Sequence, residues 1–199
     1  MIYDHINLKE GINLVYGEGA TGKTTLALML ARDHSKFGKV IFIDTENGFN
    51  FDRFKQISKE DYEKCLKNIL LFKVKNFEEL NRIVKNLIDL NEIDLIILDS
   101  IGMYYRLELK NDVKYANNKI NDIFNILSLL NKKGIKTFIT NQVYNNFESN
   151  KLEMVGGNMV RKLSDCIIKL EKNPRKIIRE KPNIIENLFE IRDEGIVLS

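Results

Sequence analysis

Between the apolar run Ile12 to Tyr16 and the helix-forming stretch LALMLA, the chain inserts GEGATGKTT, Gly17 to Thr25. No other segment restricts the fold as much. A strand has to end, the backbone has to turn where a Cβ would block it, and a helix has to begin at once. The spacing Gly17-x-x-x-x-Gly22-Lys23-Thr24 is that of a phosphate-binding loop. In such a loop backbone N–H groups wrap a triphosphate, the lysine meets the outer phosphates and the hydroxyl holds Mg²⁺. The N–H groups and dipole of the helix that opens there face the same anion. The expected contacts are Gly17, Glu18, Gly19, Ala20, Thr21, Gly22, Lys23, Thr24 and Thr25.

A strand followed by a helix is also the repeating unit of the rest of the chain. INLVY, VIFID, ILLFK, LIILD and KTFIT read as strands separated by amphipathic segments, which predicts an α/β fold with a central, mostly parallel sheet flanked by helices. Asn76 and Glu79 form a capping box ahead of the stripe Leu80, Ile83, Val84, Leu87 and Ile88, and Ser58 with Asp61 suggests a second cap. Ile120, Ile123, Phe124, Leu127 and Leu130 repeat at helical spacing, and Gly134 closes that helix. After Asn141, YNNFESNKLEMVGGN is polar and without periodicity, a long functional loop in expectation. DCIIKLE, KIIRE, LFEIR and GIVLS then alternate between turn signals and predict C-terminal antiparallel strands. With 199 residues and 44% hydrophobic content, a single domain over 1–199 is the expectation.

A triphosphate site needs more than a loop. Asp99 ends the apolar strand of DLIILDS, where its carboxylate can reach an Mg²⁺ held by Thr24. In FIDTENGF, Asp44 and Glu46 stand just beyond the second strand, on the rim where parallel sheets bind ligands. Glu46 could orient the water that attacks the γ-phosphate, or be a solvated turn carboxylate beside Asn47-Gly48. Gln142 ends the fifth strand and leads into the long polar segment, so it could couple nucleotide state to loop order.

Charge and cysteine content narrow the context. Between Arg161 and Lys181 there are eight Lys or Arg against three Asp or Glu, in a chain whose net charge is only +3. That asymmetry fits either a nucleic-acid footprint or strand edges protected by lysine. Cys65 and Cys166 make no CxxC pair, so neither a disulfide framework nor a zinc site is suggested and a reducing cytoplasm is expected. Neither a basic region followed by an apolar stretch nor an uncharged run of spanning length occurs, so no membrane role is expected.

Taken in order, GEGATGKTT, IDTENGF, LDSIGMYYRLEL, ITNQV and GGNMVRKLSD resemble the RecA-like recombinase core in its RadA-like branch, and most closely the RadB group of short archaeal RadA paralogues. The resemblance covers most of the chain. A KaiC-type ATPase shares the core but fits GGN and YRLEL less well. It implies a RecA-like P-loop NTPase core, ATP and Mg²⁺ as cofactors, single-stranded DNA and the RadA recombinase as partners, and a Holliday-junction resolvase or a replicative DNA polymerase as further ones. By motif match Lys23, Glu46 and Gln142 are the catalytic set, Thr24 and Asp99 hold the metal, and Arg53 in FNFDRF lies near the adenine. One DNA-facing loop would follow Met103 and another would run from Val143 to Gly157.

Arg106, Lys151, Arg161, Lys162, Lys172, Arg175, Lys176 and Arg179 are the expected DNA contacts, several of them at one hairpin end. Tyr104, Tyr105, Tyr144 and Phe147 could stack on bases, or the first two could be core. The phosphate loop begins at Gly17, so neither the helix-hairpin-helix domain of RadA nor a polymerisation motif is expected. Lys181 beside Pro182 is the only obvious cation for a neighbour's ATP, so slow hydrolysis is expected. The competing readings are a small-molecule kinase, against which the lack of an arginine-rich lid counts, and a module that binds ATP only to fold and recruit partners.

Overall fold

The computed structural model describes residues 2–6, 8, 11–146 and 151–199, and the side chains among these apart from Tyr3, Asn146 and Lys151. The five expected strands are β1 (Ile12–Gly17), β2 (Lys39–Asp44), β3 (Ile69–Lys73), β4 (Ile93–Asp99) and β5 (Lys136–Asn141). They pair in parallel in the order β1-β5-β4-β2-β3. Side chains alternate between the two faces, as the strand period of two requires. Leu14, Ile41, Ile43, Ile96 and Leu98 join one core, under α4 (Phe77–Asn86), α5 (Gly102–Glu108), α6 (Val113–Lys132) and α7 (Gly157–Leu163). Val15, Val40, Phe42, Leu95 and Ile97 join the other, with α1 (Lys23–His34), α2 (Phe51–Ser58) and α3 (Tyr62–Leu66). Strands covered on both faces become continuous apolar runs, which is why DLIILDS is so hydrophobic.

The C-terminal region carries β8 (Cys166–Lys172), β9 (Arg175–Lys181), β10 (Ile185–Arg192) and β11 (Gly195–Leu198), after the hairpin strands β6 (Val143–Asn146) and β7 (Lys151–Met154). β9, β10 and β11 run antiparallel as expected, but β8 also lies parallel to β1, with Gly17 opposite Leu170. The nine-stranded sheet therefore reads β11-β10-β9-β8-β1-β5-β4-β2-β3, and the strand leading into the phosphate loop is interior.

Two local expectations are corrected. The described residues of the segment 143–157 are not an irregular loop: β6 and β7 pair from Val143–Met154 to Asn146–Lys151, and Gly156 then caps α7. Its root is fixed by Val155 N–H donating to the Gln142 carbonyl at 2.9 Å and Asn141 Nδ2 donating to the Val155 carbonyl at 2.8 Å. Anchored ends form a hairpin that weak alternation in the sequence does not announce. Phe147 lies outside the described residues.

The cap at Asn76 is present, its side chain accepting from Glu79 N–H at 2.9 Å, and the Glu79 carboxylate reaches one residue beyond the box geometry to accept from Lys75 N–H at 2.8 Å. The cap at Ser58 and Asp61 is not. Ser58 is buried where α2 ends and its hydroxyl has no partner among the described residues, while Asn50 and Asp112 make the other side-chain caps. Gly134, at φ 89°, follows α6 as expected. Among the described residues no helix is long and apolar enough to cross a membrane.

Candidate nucleotide site

The carboxyl ends of β1, β5, β4 and β2 stand side by side, and ligands of parallel sheets gather at such an edge. Registry sets the depth of each group: Tyr16 is opposite Asn141, Leu98 opposite Ile139, and Asp44 opposite Asp99. Residues one or two steps further on must therefore meet.

The loop leaving β1 is tied down from several sides. A Cβ at Gly17 would sit 2.4 Å from the Leu170 carbonyl oxygen, so glycine is needed for close approach to β8. Thr21 turns inward, buried, and donates to the Glu18 carbonyl at 2.9 Å. The Lys23 ammonium donates to the carbonyls of Gly17 and Glu18 at 2.8 and 2.7 Å, and burial lowers its pKa against the pull of Asp99, Glu46 and Glu18. From the β8–β9 turn, Arg175 donates to the Ala20 carbonyl at 3.0 Å and the Lys172 ammonium stands 3.5 Å from Glu18.

Asp99 is 4% exposed. Thr24 donates its hydroxyl proton to one carboxylate oxygen at 2.8 Å, and Thr140 donates to the other. Burial raises the Asp99 pKa above the usual carboxylate range, and the two hydroxyls only partly oppose it. The Thr45 hydroxyl braces the next peptide, donating to the Ser100 carbonyl and accepting from Ser100 N–H, both at 2.8 Å.

Glu46 is positioned by Asp44. That carboxylate accepts from the N–H groups of Glu46, Gly48 and Phe49 at 3.2, 2.9 and 3.0 Å, fixing the turn after β2. Oε1 of Glu46 accepts from Gln142 Nε2 at 2.8 Å and from the Ser100 hydroxyl. The amide oxygen of Gln142 is buried with no partner among the described residues. Gly17, Glu18, Gly19, Lys23, Glu46, Arg106, Gln142 and Val143 line a cavity of about 180 Å³.

Triphosphate and Mg²⁺ fit these groups. A hydroxyl and a carboxylate are the hard oxygen donors that Mg²⁺ takes, with phosphate and water completing the shell. Gly48 leaves open the space beside them, where a Cβ would stand in ordinary contact, 3.4 Å from Asp99 Oδ2 and 3.5 Å from Thr24 Oγ1. The donorless oxygen of Gln142 suits a bound water. Among the described residues no cluster of three or more His, Cys, Asp or Glu could hold a metal alone.

The other expected residues scatter. Arg53 donates to the carbonyls of Arg192 and Asp193 at 2.7 and 3.2 Å, which pins it to the β10–β11 turn, whose flanking Ile191 and Ile196 side chains are those that a Cβ on Gly22 would meet. The basic cluster is not one free hairpin end. Alternation along β9 puts Lys176 on the opposite face from Arg175 and Arg179; Arg175, at the start of the strand, reaches the phosphate loop, while Arg179 is buried, its guanidinium donating to the carbonyls of Asp4 and Asn183 and to the Asn183 amide oxygen. Lys176 pairs with Glu186 at 2.6 Å, and Arg161 with Glu180 at 2.8 Å against the Tyr16 ring. Lys162 is exposed, and the Lys151 side chain is outside the described set. Lys181 donates to the Ser164 carbonyl at 2.5 Å.

Tyr105 is buried on Asn117 and Tyr104 donates to the Val74 carbonyl, so both are packing residues, while Tyr144 is exposed on the hairpin. Sequence reasoning missed the bracing by Thr45, Ser100 and Thr140. The role of Asp44 could have been read from DTENG, an aspartate ahead of a turn.

The Rad51 family model matches residues 7–198. DNA repair and recombination protein RadB of Methanococcoides burtonii is 39% identical over 167 residues, 81% of this chain and 74% of that protein. The protein of the same name from Methanococcus maripaludis strain C7 is 36% identical over 94% of this chain and 92% of its own length. Among solved structures, the crystal structure of the RadB recombinase superposes with a TM-score of 0.78 at 26% identity, over 94% of this chain and 89% of that one.

Proposed function

The chain belongs to the Rad51 family, and from that premise we propose that it is an ATP- and DNA-binding, RadB-like protein of homologous recombination and DNA repair. In this reading it acts beside the RadA recombinase, and its grip on single-stranded DNA depends more on bound nucleotide than on rapid turnover. The observation that carries the reading is Gln142. Its side chain bonds Glu46 inside the cavity, while its backbone carbonyl receives Val155 at the root of the β6–β7 hairpin. A group that touches both the hydrolytic carboxylate and a projecting hairpin can pass the state of one to the other.

The backbone of Gly19 to Gly22 and the ammonium of Lys23 hold the phosphates, and Thr24 and Asp99 hold Mg²⁺. Bound Mg²⁺ neutralises charge on the outer phosphates. Glu46 and Gln142 orient a water on that side, with Ser100 steadying Glu46. Turnover is slow because Lys181 is engaged by Ser164 and is not free to serve a neighbouring copy. On the DNA side the hairpin and the exposed Tyr144 replace the basic cluster as the leading surface.

ATP turnover measured with and without single-stranded DNA at two salt concentrations tests both halves. DNA-stimulated turnover and salt-sensitive DNA binding are expected, with Lys23→Ala abolishing both nucleotide effects and Glu46→Gln sparing binding. DNA binding that is indifferent to ATP and to Lys23→Ala would refute the proposal.

A further inference from the structure

Helix α5 begins at Gly102, and a Cβ there would come within 2.5 Å of the Asn141 side-chain oxygen and 3.3 Å of Gln142 N. That face of the helix therefore abuts the carboxyl end of β5. Arg106 is one turn further on, at i+4, and shares the face. The two residues before it point elsewhere, Tyr104 to the Val74 carbonyl and Tyr105 to Asn117, both at 2.6 Å. Arg106 thus joins Gly19, Lys23, Glu46 and Gln142 in lining the cavity. The neighbouring arginines are engaged, Arg161 by Glu180 and Arg175 by the Ala20 carbonyl. Arg106 is exposed and, among the described residues, has no hydrogen-bond or ion-pair partner.

A guanidinium is a planar fork suited to bidentate contact with phosphate, and a cation without a partner beside a polyphosphate site has an obvious anion to meet. The loop backbone surrounds the inner phosphates and Lys23 the outer ones, whereas Arg106 stands with Glu46 and Gln142, which face the reacting end. We propose that Arg106 recognises the terminal phosphate of the bound nucleoside triphosphate, as a cation supplied from within the same chain. This rests on the nucleotide reading above and deepens it: Arg106 is a nucleotide residue rather than a DNA contact, and the site distinguishes triphosphate from diphosphate without a neighbouring copy.

The test is calorimetric titration of wild type, Arg106→Ala and Arg106→Lys with Mg·ATP and Mg·ADP in the absence of DNA, with Lys23→Ala as the control. Arg106→Ala should weaken ATP about tenfold or more while ADP changes by less than about twofold, and Arg106→Lys should fall between as a point charge. Equal losses for both nucleotides would overturn the assignment. So would unchanged nucleotide affinities accompanied by weakened single-stranded DNA binding, which would return Arg106 to the DNA surface. A wild type that binds neither nucleotide overturns both readings, whereas normal binding with an unaltered ATP-to-ADP ratio in Arg106→Ala overturns this one alone.

Discussion

Gly17 and Gly19 lie two residues apart in the same loop, yet the structure assigns them opposite consequences when a methyl is added. At Gly17 the new carbon would stand 2.4 Å from a backbone oxygen of β8, well inside the roughly 3.3 Å at which carbon and oxygen touch. The neighbour is a strand in register, so no side chain can swing away and β1 or β8 must shift. Overpacking of this kind costs about 1–3 kcal/mol. In a chain of this size each kcal/mol lowers the melting temperature by roughly 2–4 °C, so Gly17→Ala should melt roughly 2–12 °C below wild type.

A Cβ at Gly19 meets nothing within 4 Å. Gly19→Ala should stay within about 0.5 kcal/mol of wild type in stability. It places a methyl where the polyphosphate is proposed to lie, so ATP affinity should fall by at least about tenfold, or 1.4 kcal/mol. Thermal melts by circular dichroism, paired with ATP titration, separate the two effects. If both variants melt together, or if Gly19→Ala binds ATP like wild type, the division of the loop into a strand-packed and a ligand-facing glycine is wrong.

Asp99 has a raised pKa in the folded chain, so the folded form keeps a proton that the unfolded form has lost. Its burial therefore costs stability increasingly as pH rises from the ordinary carboxylate range through the raised value. Mg·ATP binding should release that proton and strengthen with pH over the same window; titration heats that do not change between buffers of different ionisation enthalpy would contradict this. Thr140→Val removes a hydroxyl that favours the ionised form and should move the window upward in pH, measured by the same titrations. Arg179→Met deletes the guanidinium bonds to Asp4 and Asn183 and should destabilise by about 2 kcal/mol or more in urea melts, with single-stranded DNA binding of the folded protein unchanged.

Much of the fold was legible because its signals are local. Strands buried on both faces must be runs such as LIILD, and Asn76 with Glu79 caps a helix through atoms three residues apart. The C-terminal strands were legible from alternation, but the parallel partnership of β8 with β1 was not, since no residue of CIIKLEK encodes which distant strand it will meet. Basic residues misled for a related reason. A run of charge looks like one patch, while strand alternation and distant partners divide it: Arg179 goes inside to Asp4, Arg175 onto the phosphate loop, and Lys176 to Glu186.

By itself, then, the sequence determined the phosphate-loop geometry, the α/β architecture and which side chains could do chemistry at strand ends, because glycine spacing and hydrophobic period act over a few bonds. Tertiary structure alone decided which of those side chains meet. Registry between strands far apart in the chain set Thr24 against Asp99 and Gln142 against Glu46, and the packing of α5 on the end of β5 placed Arg106 at the same cavity. Such registry is fixed by how two cores pack on opposite faces of one sheet, a property of the assembled whole that no local pattern carries.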